Sequence, residues 1–235
     1  MWSISEIKSR GKAAFKANYW SCVLASFILA LVTGTSTKSS SGNLDTDDFT
    51  IIISGLTEQQ QMELLAFILG AVGIGIIIGI LIKIFIVNPI KVGCYRFFRK
   101  NVEAESTSVS TIFSDGFSNF GHVFATLFLR DLFVALWSCL LVIPGIIKAY
   151  AYRMVPYIVK DNPELSATEV ITRSREMMNG NKWRAFLLDL SFIGWIILGI
   201  ITCGIVLIFW TNPYMENANA ALYVELLNQQ NNVAE

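Results

Sequence analysis

Five ionisable side chains sit where the sequence is otherwise apolar: Arg130, Asp131, Arg153, Asp189 and Glu216. Charges at bilayer depth are costly and normally face inward, paired with one another. Two chemistries fit such a set. One is a polar cavity that binds an ion, a lipid headgroup or a small anionic solute. The other is a neutralised network that fixes helix register. Arg130 and Asp131 fall roughly 14 Å from the inner surface at the helical rise, and Arg153 at a similar depth. Asp189 and Glu216 are shallower, and Lys83, near an inner helix end, is expected to snorkel to the headgroups.

Other chemistry is missing. No Walker A, HExxH or GxSxG pattern occurs, and the Gly70-Ala-Val-Gly-Ile-Gly run lies within a span rather than after a strand. His122 is the single histidine, and Cys22, Cys94, Cys139 and Cys203 are scattered through or beside apolar runs. They read as buried free thiols. No catalytic residue, metal site or cofactor is expected, and the chain is read as a non-enzyme.

The elements that must position these charges are membrane helices. Hydrophobic residues make up 54% of the 235 and charged residues 15%, with mean hydropathy +0.54. Soluble domains carry about a quarter charged residues, so the balance points to a polytopic membrane protein. Lysines and arginines (18) equal acids (18), which leaves no general attraction to nucleic acid. The first apolar run follows a long basic segment without a small-residue cleavage site, so a cleavable signal peptide is not expected.

Runs of about 20 apolar residues suggest six helices, at 18–34, 62–87, 119–142, 145–160, 183–201 and 203–227. The third and fourth join at Pro144-Gly145, and the fifth and sixth near Thr202-Cys-Gly204. The segment 145–160 is short and polar, so it is read as packed inside the bundle. Lys8, Arg10, Lys12 and Lys16, then Lys91, Arg96, Arg99 and Lys100, then Lys160, Arg173, Arg175, Lys182 and Arg184 fall on one side of this layout. That bias predicts cytoplasmic N- and C-termini. The loop 35–61, with Lys38 against Asp45, Asp47, Asp48 and Glu58, is expected outside, as a polar tether with an apolar patch at 49–54.

One pattern occurs twice at a constant offset of 163 positions. Ser3-Ile-Ser-Glu6, a basic stretch and Asn18-Tyr-Trp20 lead into an apolar run, and so do Ser166-Ala-Thr-Glu169 and Asn181-Lys-Trp183. S-x-x-E is a capping box. Ile4, Ile7, Gly11 and Ala14 share one face, with Lys8, Lys12 and Lys16 opposite. Val170, Ile171, Met177 and Met178 share another, away from Arg173 and Arg175. Such helices lie in the interface, cations toward anionic headgroups, and Trp20 and Trp183 anchor the turn into the bilayer. A weaker copy runs through Ile112, Phe113, Phe117, Asn119 and Phe120. Pro89, Pro156 and Pro213 lie in the even helices, where each is expected to kink its helix. The implied unit, used three times, is a surface helix, an outward span and a kinked return. The competing reading is that any basic helix before a span looks like this. Gly70, Gly73, Gly75 and Gly79 form a stripe suited to close helix packing.

The second half resembles a known family. Leu136-Trp-Ser-Cys-Leu-Leu-Val-Ile-Pro-Gly-Ile-Ile-Lys148, Met154-Val-Pro-Tyr-Ile158, Asp161-Asn-Pro-Glu-Leu-Ser166, Gly180-Asn-Lys-Trp-Arg184, Asp189-Leu-Ser-Phe-Ile-Gly-Trp195 and Asn212-Pro-Tyr214 look like its signatures. In the first half Asn18-Tyr-Trp20, Pro89-Ile-Lys-Val-Gly93 and Tyr95-Arg-Phe-Phe98 fit the same pattern. The family is the uncharacterised integral membrane proteins of mainly Gram-positive bacteria grouped as domain of unknown function 975. The resemblance implies a helical cytoplasmic-membrane protein and carries no activity or site residues with it.

The expectation is one all-α transmembrane domain over 1–235, three helical hairpins with interfacial helices at 1–19 and 161–182. Its expected role is non-enzymatic: a scaffold, accessory or envelope-homeostasis factor. The alternative is a small transporter or lipid- or solute-binding protein using the charged cluster. Expected partners are membrane lipids with anionic headgroups, and a protein partner or second copy.

Overall fold

The computed structural model describes residues 2–33, 57–105 and 107–234; most of the loop 35–61, with its 49–54 patch, lies outside them. All regular structure in the described residues is helical.

Ser3 caps the first helix, α1 (Ile4–Ala17), its hydroxyl accepting from the Glu6 amide at 3.2 Å. At Asn18 the chain turns by 106° into α2 (Tyr19–Thr33). This is the expected sharp passage from a surface helix into an apolar one. The return arm is longer than its apolar run. α3 (Glu58–Ile82) continues through Lys83–Val87 into α4 (Asn88–Val102), so Lys91 to Lys100 are helical rather than a loop.

The second section has the same order. α5 (Ser110–Phe117) leads to Asn119, which takes the left-handed conformation (φ 51°), and into α6 (Phe120–Leu140). Extended Leu141 reverses the chain into α7 (Val142–Ala151). The expected helix 145–160 is split, because a turn over Tyr152–Met154 separates α7 from α8 (Val155–Asp161). The third section opens with α9 (Ala167–Met177), where Ser166 and Glu169 make both bonds of the capping box. The apolar helix that follows is broken at Ser191–Phe192 into α10 (Lys182–Leu190) and α11 (Ile193–Ile201). Cys203 (φ 51°) and Gly204 (φ 88°) make the tip, and the return passes through Leu207–Thr211 into α12 (Asn212–Ala234).

The prolines do not act alike. Before Asn88-Pro89 and before Asn212-Pro213 the helix widens into π-turns, with the Asn88 amide donating to the Lys83 carbonyl and the Asn212 amide to the Leu207 carbonyl. Proline has no amide to donate, and a one-residue widening absorbs the loss without ending the helix. Before Val155-Pro156 the chain makes a full turn instead, with proline at the start of α8.

The lead-in helices spend their apolar faces on protein. Ile7, Gly11 and Phe15 of α1 are buried against α12. A Cβ on Gly11 would lie 2.7 Å from the Ala218 backbone, so the contact needs glycine. α5 packs on α4 through Ile112 and Gly116, with Gly93 and Gly116 each allowing backbone contact. α9 packs on α8 and α6, and its Ser174 donates to the Ala151 carbonyl at 2.9 Å and accepts from the Met154 amide. Each lead-in helix thus rests on the returning arm of the preceding section, and the first rests on the last. Ser174 stands 163 positions after Gly11, the offset of the repeated pattern.

α3 is different. No described atom lies within 4 Å of a Cβ placed on Gly70, Gly73, Gly75 or Gly79, so the expected packing stripe meets no other described element. Among the described residues, three helices are long and apolar enough to cross a membrane, Glu58–Gly79, Phe120–Cys139 and Lys182–Ile201, with a fourth if the bent α1–α2 pair counts as one. Cys22 and Cys94 are buried, but Cys139 and Cys203, expected buried, are exposed at hairpin tips.

Candidate functional site

The three return arms, in α4, α8 and α12, meet at Asp161. Its Oδ1 accepts from Arg96 and from Arg99 Nη1 (2.7 Å), and its Oδ2 accepts from the Tyr223 hydroxyl at 2.5 Å. One carboxylate on α8 therefore ties down both other arms. Tyr95, Tyr157 and Tyr223, one per arm, pack ring to ring above it, with centroids 5.0 and 4.9 Å apart. Asn101 adds a polar junction. Its Nδ2 donates to Asn217 Oδ1 (2.7 Å) and the Ala14 carbonyl (2.9 Å), while its Oδ1 accepts from Asn18 (2.6 Å). None of Asp161, Tyr223 or the asparagines stands out as a site in the sequence: Asp161 sits among polar neighbours, and Tyr223 in the mostly apolar run Ala220-Ala-Leu-Tyr-Val-Glu-Leu-Leu reads as a core residue. Asp161, Tyr95-Arg96 and Asn18 do fall within family-like motifs.

The predicted cluster divides in two. Arg153 and Asp189 form a two-pronged ion pair at 2.8 and 2.7 Å. Asn219 accepts a further Arg153 bond at 2.7 Å, and the Tyr150 hydroxyl donates to Asp189 at 2.8 Å. A bidentate guanidinium–carboxylate pair is among the strongest polar contacts. Arg130 and Asp131 bond to each other (3.0 Å), and Lys83 approaches Asp131 at 3.7 Å, so Lys83 is drawn toward a carboxylate as well as to the expected headgroups. Arg130, Asp131 and Arg153 line one cavity of about 440 Å³ with Tyr95 and Pro156.

Glu216 belongs to neither pair. It lies beside Asn219, Arg153 and Lys91, and its Oε2 has no hydrogen-bond partner among the described residues. It lines a second cavity, of about 660 Å³, walled by Phe27, Leu29, Leu31, Ile196, Leu207 and Ile208. Tyr95 borders both cavities.

Trp20 and Trp183, read from the sequence as interfacial anchors, are exposed by 73% and 67%. Lys12, Lys16 and Arg175 point outward as expected, but Lys8 does not. Its Nζ donates to the Ser191 carbonyl at 3.1 Å and sits 4.5 Å from the Phe192 ring, and this partial burial lowers its pKa.

No curated protein and no solved structure matches the chain. The stretch holding Arg153, Asp161, Asp189, Glu216 and Tyr223 is matched: residues 139–230 fit the model of the family described as Protein of unknown function (DUF975), the family that the motifs of the second half resemble.

Proposed function

We propose that this is a non-enzymatic integral protein of the bacterial cytoplasmic membrane, a scaffold, accessory or envelope-homeostasis factor. Its three sections are copies of one unit, giving six membrane helices with both termini in the cytoplasm. The observation that carries the scaffold reading is how the charges are used. Arg153 is committed to Asp189 and Asn219, Arg130 to Asp131, and Arg96 and Arg99 to Asp161. Charges spent on one another hold helices in register and leave little for a passing solute. Transport through Arg130, Asp131, Arg153 and Asp189 has less support for the same reason.

The membrane placement draws on the belt of exposed large apolar side chains. It includes nearly all of α3, the tip residues Leu141, Val142 and Ile143, and Ile200, Ile201 and Ile205. Soluble proteins rarely expose so large an apolar surface. The outward Lys12, Lys16 and Arg175 suit anionic headgroups on the inner side.

Alkaline-phosphatase fusions test the topology: activity after Ser40 and silence after Asn101 are expected, and the opposite pattern defeats it. Exchanging Arg153 and Asp189 for each other tests the role. A scaffold should regain folding and in-cell function together, whereas a folded but inactive protein would mean that the pair handles a solute.

A further inference from the structure

The paired charges of the bundle leave donors over. Arg130 gives Nε and Nη2 to Asp131, and Arg153 gives Nη1 and Nη2 to Asp189 and Asn219. Nη1 of the first and Nε of the second make no hydrogen bond among the described residues. Nor do the hydroxyls of Tyr95 and Tyr152, although Tyr152 is only 6% exposed. A buried donor without a partner costs free energy until an acceptor reaches it. None of the four donor atoms is sealed by packing, and their residues line one cavity of about 440 Å³ together with Asp131. That volume lies within the range of ligand sites, about 300–1,000 Å³.

Three elements bring the donors together. Tyr95 comes from α4 and Arg130 from α6, and the turn over Tyr152–Met154 that separates α7 from α8 carries the other two. Ala135 and Ala149, both exposed, leave the cavity open between α6 and α7. The charges around it do not balance. Four cations, Arg130, Arg153, Lys83 and Lys91, face three carboxylates, Asp131, Asp189 and Glu216. Lys91 is the cation without an ion pair among the described residues. One positive charge in excess, with donors converging from three elements, calls for an anion that accepts on every side. A carboxylate offers its acceptors in one plane, whereas a phosphate offers them all round.

We infer that this cavity holds one phosphate group, resident rather than in transit, bound by Arg130 Nη1, Arg153 Nε and the hydroxyls of Tyr95 and Tyr152. The group is either free phosphate or the phosphodiester of an anionic lipid that enters between Ala135 and Ala149. The inference goes beyond the scaffold reading and is independent of it, because a resident anion is compatible with a scaffold and a carrier alike.

Two measurements on the full chain separate the sources. Isothermal titration calorimetry in detergent uses inorganic phosphate, and native mass spectrometry uses phosphatidylcholine nanodiscs doped with phosphatidylglycerol. One phosphate bound per chain, or one phosphatidylglycerol retained in preference to phosphatidylcholine, is expected, and the positive arm names the source. Tyr95→Phe and Tyr152→Phe remove hydroxyls that no protein group uses. Each should therefore leave the melting temperature of the phosphate-free chain unchanged and weaken binding about tenfold, as one hydrogen bond to a charged group supplies. A wild-type chain that takes up neither probe, or Phe variants that bind as tightly as the wild type, overturn the inference. So does a lowered melting temperature in both ligand-free variants, which would mean that the hydroxyls serve the protein itself.

Discussion

The Tyr223 hydroxyl donates to Asp161 Oδ2 at 2.5 Å, while Arg96 and Arg99 occupy the other oxygen of the same carboxylate. Three helices distant in sequence therefore converge on one side chain that is 10% exposed. Removing it leaves two guanidinium groups partly buried without their counter-charge. Asp161→Ala should cost about 3–5 kcal/mol, the usual penalty for breaking a buried pair from one side. Tyr223→Phe should cost only about 1 kcal/mol, that of one hydrogen bond. Thermal unfolding in detergent ranks the two, and equal losses would remove Asp161 from its central place.

Arg153 and Asp189 should show strong coupling. Each alanine variant strands its partner, so the double variant should be less harmful than the sum of the singles, with an interaction energy of about 0.5–3 kcal/mol. A double-mutant cycle on the midpoint of unfolding measures it. An additive result would mean that the pair is solvated and structurally idle.

Two kinds of glycine should respond in opposite ways. A Cβ on Gly93 would fall 1.9 Å from the Ile112 carbonyl oxygen, so Gly93→Ala must push α5 off α4, at about 1–3 kcal/mol or more. Gly75→Ala meets open space and should be neutral, or stabilise the helix by up to about 1 kcal/mol. Cysteine cross-linking between α4 and α5 would report the first effect, and thermal melting both.

The α9 cap should be acid-sensitive. Bonds from the Ser166 hydroxyl and amide hold the Glu169 carboxyl below its ordinary value of 4.5. A depressed carboxylate stabilises the fold above its unfolded pKa, and that contribution is lost as pH falls through the folded one. Hydrogen exchange at the first turn of α9 should quicken on acidification below about 4.5. Glu169→Gln should remove the dependence, and a variant that keeps it would place the transition elsewhere.

Much of the scaffold was legible because periodicity and turn chemistry are local. Ser3 and Ser166 announced their helices, Asn18 the bend after α1, and Thr202-Cys-Gly204 the hairpin tip. The Arg153–Asp189 pair was legible because charges in apolar runs have few affordable partners. Asp161 was not, since it sits among polar neighbours where a carboxylate needs no explanation, and its partners lie 62 to 65 positions away on either side. The three prolines were read alike, as kinks, whereas two follow π-turns within a continuing helix and Pro156 opens a new one. The basic helices were read as facing lipid. The structure covers their apolar faces with protein, and a pattern of apolar residues does not say what covers them.

The docking of α1 on α12 sets an order on synthesis. Residues 4–17 leave the ribosome well before residues 212–234, which supply the surface that buries Ile7 and Phe15. Until then that apolar face lacks its principal partner. Arrival of α12 then covers that face, so that α1 reaches its native contacts only late in assembly.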